Sequence, residues 1–402
     1  MTDLQPKIRA LVLRRFRSFP AERIEFDNPT IFVGRNGSGK SNLVSAFSFL
    51  AEAMASPLQS VFDKAGGISA VRNRTSGQSH PPNLGLRIEL GQMNGKAASG
   101  FYAFEVKALP NYGFTVAREQ CKVDEGQAAS WWFDRTGASF RSNLGGVKPA
   151  LDPAALALPL VGGEASFAPI VRTLAAMRVC SIEPGKLREM QEPDSGNSLK
   201  ADGANATSVL KEIERRSQED FKRISEVLAT IVPNTTSVRV KKHGKNLSLE
   251  LTQEWGEKKR LHFEGFSVSD GTLRAIGLLA AVFQQPAPSL LAVEEPEATI
   301  HPGALGSVLD VLRHASKRMQ VVMTTHSPDL LDEEWITDRH LRIVEWTEGA
   351  TRVAPVSEAT RQALRGHLMG AGELLRSNAM EPAPLFSDPA GFGQGSLFSE
   401  LG

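Results

Sequence analysis

The sequence predicts an α/β protein, a mixed sheet with flanking helices, interrupted by an inserted α+β region. Three observations carry that expectation. From Leu273 onward, helical and strand patterns alternate through "LRAIGLLAAVF", "SLLAVEE", "GALGSVLDVLRHA" and "QVVMTT". Near the N-terminus a glycine-rich turn, "GRNGSGKS" at 34–41, lies between the apolar run "TIFV" and a helical stripe. Between these two regions, residues 84–142 alternate apolar and polar positions, the period of an antiparallel meander.

The composition sets the bounds. At 402 residues with 41% apolar and 23% charged, the chain can bury a large core and is long enough for two domains, or for one domain with an insertion. Lys plus Arg (46) nearly cancels Asp plus Glu (45), so any nucleic-acid surface must be a local patch. Cys121 and Cys180 are isolated, which excludes a disulfide framework or a zinc set and fits a reducing compartment. The N-terminus turns basic before a signal-like apolar core forms. The longest apolar stretch, "AIGLLAAVF", is half a membrane span, so a soluble cytoplasmic protein without membrane contact is expected.

In chain order, "KIRALVLRRFRSF" and "RIEFDNPTIFVG" read as strands. "SNLVSAFSFLAEAM" places Leu43, Val44, Phe47, Leu50 and Met54 on one helical face. Loops follow at Gly66–Gly67 and in "RTSGQSHPPN", then the meander, then "LGGVKPALDPAALALPL" as a linker or short helices. Residues 205–232 carry one helical stripe, and "SVRVKKHGKNLSLELTQEW" reads as a hairpin around His243-Gly244. The last stretch, rich in Pro, Gly and Ser, reads as a flexible tail. The expected domains are an N-terminal lobe (1–95), an insert (96–261), a C-terminal lobe (262–375) and a tail (376–402).

The chemistry starts at the glycine-rich turn, which fits G-x-x-x-x-G-K-[ST] in full. Backbone amides from Gly34, Arg35, Asn36, Gly37, Ser38, Gly39, Lys40, Ser41 and Asn42 can turn inward on phosphate oxygens at a helix N-terminus. Lys40 is placed to reach the β- and γ-phosphates of ATP, and the Ser41 hydroxyl to ligate Mg²⁺. Glu294 and Glu295 end the apolar strand "SLLAVEE", after which Pro296 forces the chain away. Glu294 is assigned to Mg²⁺, and Glu295 to polarising the attacking water as general base. His326 ends the next strand, within reach of a γ-phosphate. Taken singly, the glutamates would be a solvated acidic turn and the histidine a structural one; their order along the chain joins them. Ser269-Asp270-Gly271, ahead of "TLRAIGLL", reads on its own as a helix cap.

Together "FRSF", "GRNGSGKSN", "SDGTLR", "EEPEATIHP" and "TTHSP" resemble the ABC-type ATPase heads of the RecF/SMC/OLD group. Within it the chain is most similar to compact stand-alone ATPases, often described as AAA-type and RecF-like. The resemblance is close over 5–55 and 263–330, extends to "SIEPGKLREM" and "KADGANATSVLKEI", and is only an outline over 95–170. It implies a P-loop NTPase fold of ABC/SMC-head type and a head-to-tail homodimer formed through ATP. In that dimer Ser269, Asp270 and Gly271, at the signature position, would touch the γ-phosphate held by the opposite chain. Asp270, which would repel phosphate, is then expected to point toward a basic residue or the partner's ribose. The resemblance also implies action on DNA and control of a separate nuclease or toxin effector, in DNA repair or antiviral defence. Basic clusters in "KIRALVLRRFR", "VRNRTSG", "KKHGKN" and "EKKR" are the candidate DNA contacts.

The chain departs from the group's pattern in four places. Glu294 stands where Asp is usual, one methylene longer, with consequences for Mg²⁺ placement and turnover. The glutamine loop has only Gln78 as a weak candidate. The insertion between phosphate loop and signature is about 230 residues, far short of an SMC coiled coil. The 76 residues after His326 contain no D-x-D, so the chain itself is not expected to cut DNA. A transporter cassette is disfavoured by the missing LSGGQ-type motif. A slow nucleotide-dependent scaffold that restrains an effector without acting on DNA stays open beside the DNA-linked ATPase.

Overall fold

A computed structural model describes residues 7–73, 83–91, 99–124, 129–146, 149–256, 259–384 and 396–401. The chain divides into two compact units: Met1–Met177 with Asp338–Arg361 and Glu381–Gly402, and Arg178–Thr337 with Gln362–Met380. Gln78 lies outside the described residues.

In the first unit, a seven-stranded antiparallel sheet runs in the order Phe19–Glu25, Lys7–Phe16, Asn83–Gly91, Ser99–Ala108, Phe114–Asp124, Ser130–Thr136, Ser139–Ser142. Its last five strands are the meander that the alternating pattern predicts. The strand Thr30–Val33, buried throughout, pairs in parallel with Leu341–Thr347, which pairs antiparallel with Ala350–Pro355. The helix Lys40–Ala55 follows the glycine-rich turn. Phe47 and Phe49 anchor it edge-on against Phe26 and Phe16, at centroid distances of 5.7 and 5.9 Å. Burying each such ring contributes about 1.5–3 kcal/mol, so the middle of this helix is held firmly.

The segment 149–160 is pinned by a buried polar pair. Arg135 and Glu119 are both fully buried, with Nη1 and Oε2 3.7 Å apart. Arg135 Nη2 donates to Asp152 O at 2.8 Å, while Glu119 accepts from the Ala157 and Leu158 amides at 2.6 and 2.8 Å. Within the C-terminal stretch, Leu397 is buried and Ser399 bonds Gln120, so that end is docked on the sheet.

In the second unit, Arg178–Cys180, Leu290–Glu294 and Gln320–Thr325 form a parallel ladder with Leu290–Glu294 in the middle. A parallel strand buried on both faces should read as a continuous apolar run, and "LLAV" and "QVVM" do. The helical stripe over 205–232 is two helices, Ala206–Arg216 and Gln218–Ile231. Ser217 breaks it: in an extended conformation, its hydroxyl accepts from the Asp220 amide at 3.1 Å and caps the second helix. Thr235–His243 and Asn246–Trp255 form the expected hairpin, with Gly244 at φ 59°, and Lys259–Glu264 adds a third antiparallel strand. Among the described residues no helix is long and apolar enough to cross a membrane.

Candidate functional site

The phosphate loop belongs to the first unit. Gly37 and Gly39 have φ of 79° and 104°, which favour glycine and turn the amides between them to one side. Gly39 is the residue before the helix, and a Cβ there would collide with Thr351 Oγ1. Thr351 is fully buried; its hydroxyl donates to Ser38 O at 2.9 Å and lies 2.8 Å from Ser18 Oγ. Asn42 Nδ2 also donates to Ser18 Oγ, at 2.9 Å. Lys40 is buried and folds back over the loop, its Nζ donating to Gly34 O at 2.6 Å and Arg35 O at 3.0 Å. Ser38 Oγ is buried and has no hydrogen-bond partner. Arg35 and Ser41 are exposed; Asn42 is half-buried.

These features fit a nucleotide's phosphates. A buried hydroxyl without a partner costs about 1–3 kcal/mol, and a ligand oxygen would recover it. A Cβ at Gly34 would strike Val344 O, as one at Gly39 would strike Thr351, so the loop keeps this close packing only with glycine at both positions.

The carboxylates, the histidine and the signature turn belong to the second unit. Glu294 pairs in register with Thr324, and Glu295 turns out of the strand with φ 45°. A non-glycine residue in that region is strained. The Glu295 amide donates to Thr324 O at 3.0 Å, and Glu295 Oε1 lies 3.0 Å from His326 Nδ1. Both side chains keep solvent access, at 35% and 43%. Glu297, the third glutamate, accepts from Thr325 Oγ1 at 2.6 Å, and its Oε2 is buried without a partner. Burial pushes the Glu297 carboxyl above its ordinary range, with the Thr325 hydroxyl opposing.

The helix Asp270–Phe283 begins at the signature turn. Ser269 caps it, its Oγ accepting from the Thr272 amide at 3.3 Å and lying 2.8 Å from Thr272 Oγ1. The cap reading is therefore correct for the single chain. Gly271 permits close approach to Thr299 O, which a Cβ would block. Asp270 meets a basic residue: Arg188 Nη2 donates to its Oδ1 at 2.5 Å and to Val268 O at 3.1 Å. One turn into the helix, Arg274 is buried, and burial lowers its guanidinium pKa from the ordinary value.

The structure brings together Glu295 with His326, and Asp270 with Arg188. Sequence reasoning missed Ser18, Thr351, Glu297 and Arg274 as parts of these arrangements. Arg274 did leave a signal, a charge inside the apolar run "LRAIGLLAAVF".

A phosphate loop opening a helix, a carboxylate pair ending a parallel strand and a histidine ending the next define an SMC-head-like P-loop NTPase fold. The chain belongs to the family described as "AAA domain, putative AbiEii toxin, Type IV TA system", whose profile matches residues 30–120 and 186–332. Its fold is that of compact SMC-type heads. Among solved structures it is similar to an Smc head bound to the C-terminal winged-helix domain of ScpA (TM-score 0.53, 15% identity, 87% of this chain and 98% of that one). It is also similar to the Pyrococcus furiosus Smc head with an extended coiled coil, bound to the C-terminal domain of ScpA (0.54, 14%, 90% and 100%). A third is the Pyrococcus yayanosii Smc head with a coiled coil and joint (0.50, 12%, 93% and 100%). At these identities the likeness shows the fold.

Proposed function

We propose that the chain binds and hydrolyses ATP as a head-to-tail homodimer, acts on DNA and controls a separate effector. The observation that carries the hydrolytic part is the Glu295–His326 pair, an acceptor carboxylate held by a histidine at adjacent strand ends. The loop amides and Lys40 hold the phosphates, with Lys40 leaving the Gly34 and Arg35 carbonyls to do so. A Mg²⁺ ion held by Ser41 and Glu294 would neutralise charge on the β- and γ-phosphate oxygens. Among the described residues no cluster of three or more His, Cys, Asp or Glu forms a metal cage. Mg²⁺ takes one or two protein ligands and completes its shell with phosphate and water. Glu295 accepts the proton of the attacking water as its oxygen bonds to the γ-phosphorus. The bond to the bridging oxygen breaks, and ADP leaves with that electron pair. His326 orients Glu295. Ser269, Asp270 and Gly271 complete the opposite chain's site: the helix start offers amides to an anion, and Arg188 offsets the Asp270 charge.

The DNA reading draws support from exposed Arg239, Lys242, Lys245, Lys259 and Arg260 on the three-stranded sheet. The effector reading draws support from the family description, which names a toxin system, and from the Smc heads solved with ScpA domains. The domain scheme 1–95, 96–261, 262–375 and 376–402 remains part of this reading, as does a cytoplasmic location. Glu294, longer than the usual Asp, favours as a second reading the slow scaffold that restrains an effector without acting on DNA. ATP turnover with and without duplex DNA separates the two: stimulation at low salt supports the first reading. Slow turnover that DNA leaves unchanged, with no DNA binding, supports the second.

A further inference from the structure

We infer that Arg274 is a positioning residue that couples the signature turn to the catalytic carboxylate of its own chain; this rests on the function proposed above. Arg274, a residue nine-tenths buried, makes three hydrogen bonds to backbone: Nη1 to Ile182 O at 2.9 Å, and Nη2 to Glu294 O at 3.0 Å and Glu295 O at 2.9 Å. None of these acceptors is a side chain. Arg274 therefore fixes where the chain turns, and Glu295, at φ 45°, is the residue whose turn needs fixing. A planar fork can span two carbonyls on one element and a third on another, which a lysine ammonium cannot.

The coupling follows from position on one helix. Ser269 caps its first turn and Arg274 stands on the next, so the two move as one rigid element. In the head-to-tail dimer Ser269 serves the nucleotide of the opposite chain, whereas Glu295 serves its own. A shift of the helix on engaging the partner's phosphate is carried by Arg274 to the Glu294–Glu295 carbonyls, and so to the carboxylate that His326 faces. Each chain's general base is aligned when that chain's signature turn is occupied, which makes turnover at the two sites cooperative. The Nε of Arg274 is also buried and has no hydrogen-bond partner.

The test uses the full chain. Arg274→Ala should lower kcat for ATP about 100-fold, the scale of an ångström-sized misplacement, while nucleotide binding to the phosphate loop changes less than about two-fold. Free guanidinium at non-denaturing concentration should restore part of the Arg274→Ala turnover and leave wild type unaffected. A purely structural loss would lower binding and turnover together and gain nothing from guanidinium. Arg274→Lys keeps a buried cation and tests the geometry if the alanine variant does not fold; turnover should fall without loss of nucleotide binding. Amide exchange over 294–298 should quicken in either variant, because Glu295 loses its carbonyl anchors. Unchanged exchange in a folded variant overturns the anchoring, and wild-type kcat in either variant overturns the coupling. If Glu295→Gln turns over as fast as wild type, the function proposed above fails instead, and the exchange measurement still decides the anchoring.

Discussion

Glu295 Oε1 and His326 Nδ1 stand 3.0 Å apart, although 31 residues of chain separate them. The parallel register that sets Glu294 against Thr324 puts both side chains at the same edge of the ladder. A carboxylate in this pair can accept a proton while the imidazole fixes its direction. Glu295→Gln should lower ATP turnover by about 10²–10⁴-fold and leave nucleotide affinity nearly unchanged. His326→Ala, which removes orientation and leaves the base, should cost about 10–100-fold. Steady-state turnover alongside a nucleotide-binding titration reads both. A Glu295→Gln variant with wild-type turnover would remove the general-base assignment.

Arg188 and Asp270 carry opposite charges at the start of the signature helix, 2.5 Å apart. Without Arg188, the Asp270 carboxylate would repel an incoming phosphate at the helix end where an anion is otherwise favoured. Arg188→Ala should therefore weaken ATP-driven self-association about 5-fold, near 1 kcal/mol. The double variant Arg188→Ala/Asp270→Asn should return most of it. Ser269→Arg should block the dimer while the monomer still binds nucleotide. Sedimentation with and without ATP measures all three. A double variant as weak as Arg188→Ala alone would mean that Arg188 acts through something other than Asp270.

What was legible in the sequence was what is contiguous in it. The phosphate loop is a run of eight residues whose backbone does the work, and the two strands carry their chemistry just past their apolar runs. The hairpin at His243-Gly244 and the meander were equally plain, because alternation is a local signal. Thr351 was hidden because its partner, Ser38, is 313 residues away. Glu119 and Arg135 are charged positions in alternating strands, yet both are fully buried. Only the packing of 149–160 over them decides that. The break at Ser217 was readable from a serine followed by Glu219 and Asp220, but the apolar stripe runs through it in phase and hides it.

Cys180 gives a measurable pH signature. Burial pushes its thiol up to about 12, with the Arg274 charge opposing and Glu294 adding to the rise. Cys121, also fully buried, is pushed well above its ordinary value by burial and the Glu119 charge. Only the thiolate reacts, so at pH 8 about one Cys180 in 10⁴ is ionised, and reactivity grows as pH climbs toward that value. The native protein should show no fast-reacting thiol toward a disulfide reagent at pH 8, and both thiols after denaturation. One fast equivalent in the native protein would contradict this burial.

Leu397 occupies a slot that exists because residue 85 is glycine; a Cβ there would strike Leu397 Cδ1. The docked segment is read mainly through its backbone. Arg87 Nη1 donates to Leu397 O and Ser399 Oγ, both at 3.0 Å. Gln120 accepts from the Ser399 amide at 3.0 Å and donates to Ser399 O at 3.1 Å, while Arg118 lies over the Phe398 ring at 4.6 Å. A short segment held by these few contacts can leave its slot without unfolding the sheet, so damage to the slot appears as local opening. Gly85→Ala should therefore quicken amide exchange at Ser399 by at least about ten-fold, one RT ln 10 of local stability, with the global melting temperature almost unmoved. Leu397→Ala should do the same from the other side of the contact. Exchange at Ser399 as slow in both variants as in wild type would mean that the Gln120 bonds alone hold the segment. Gln120→Ala should then release it.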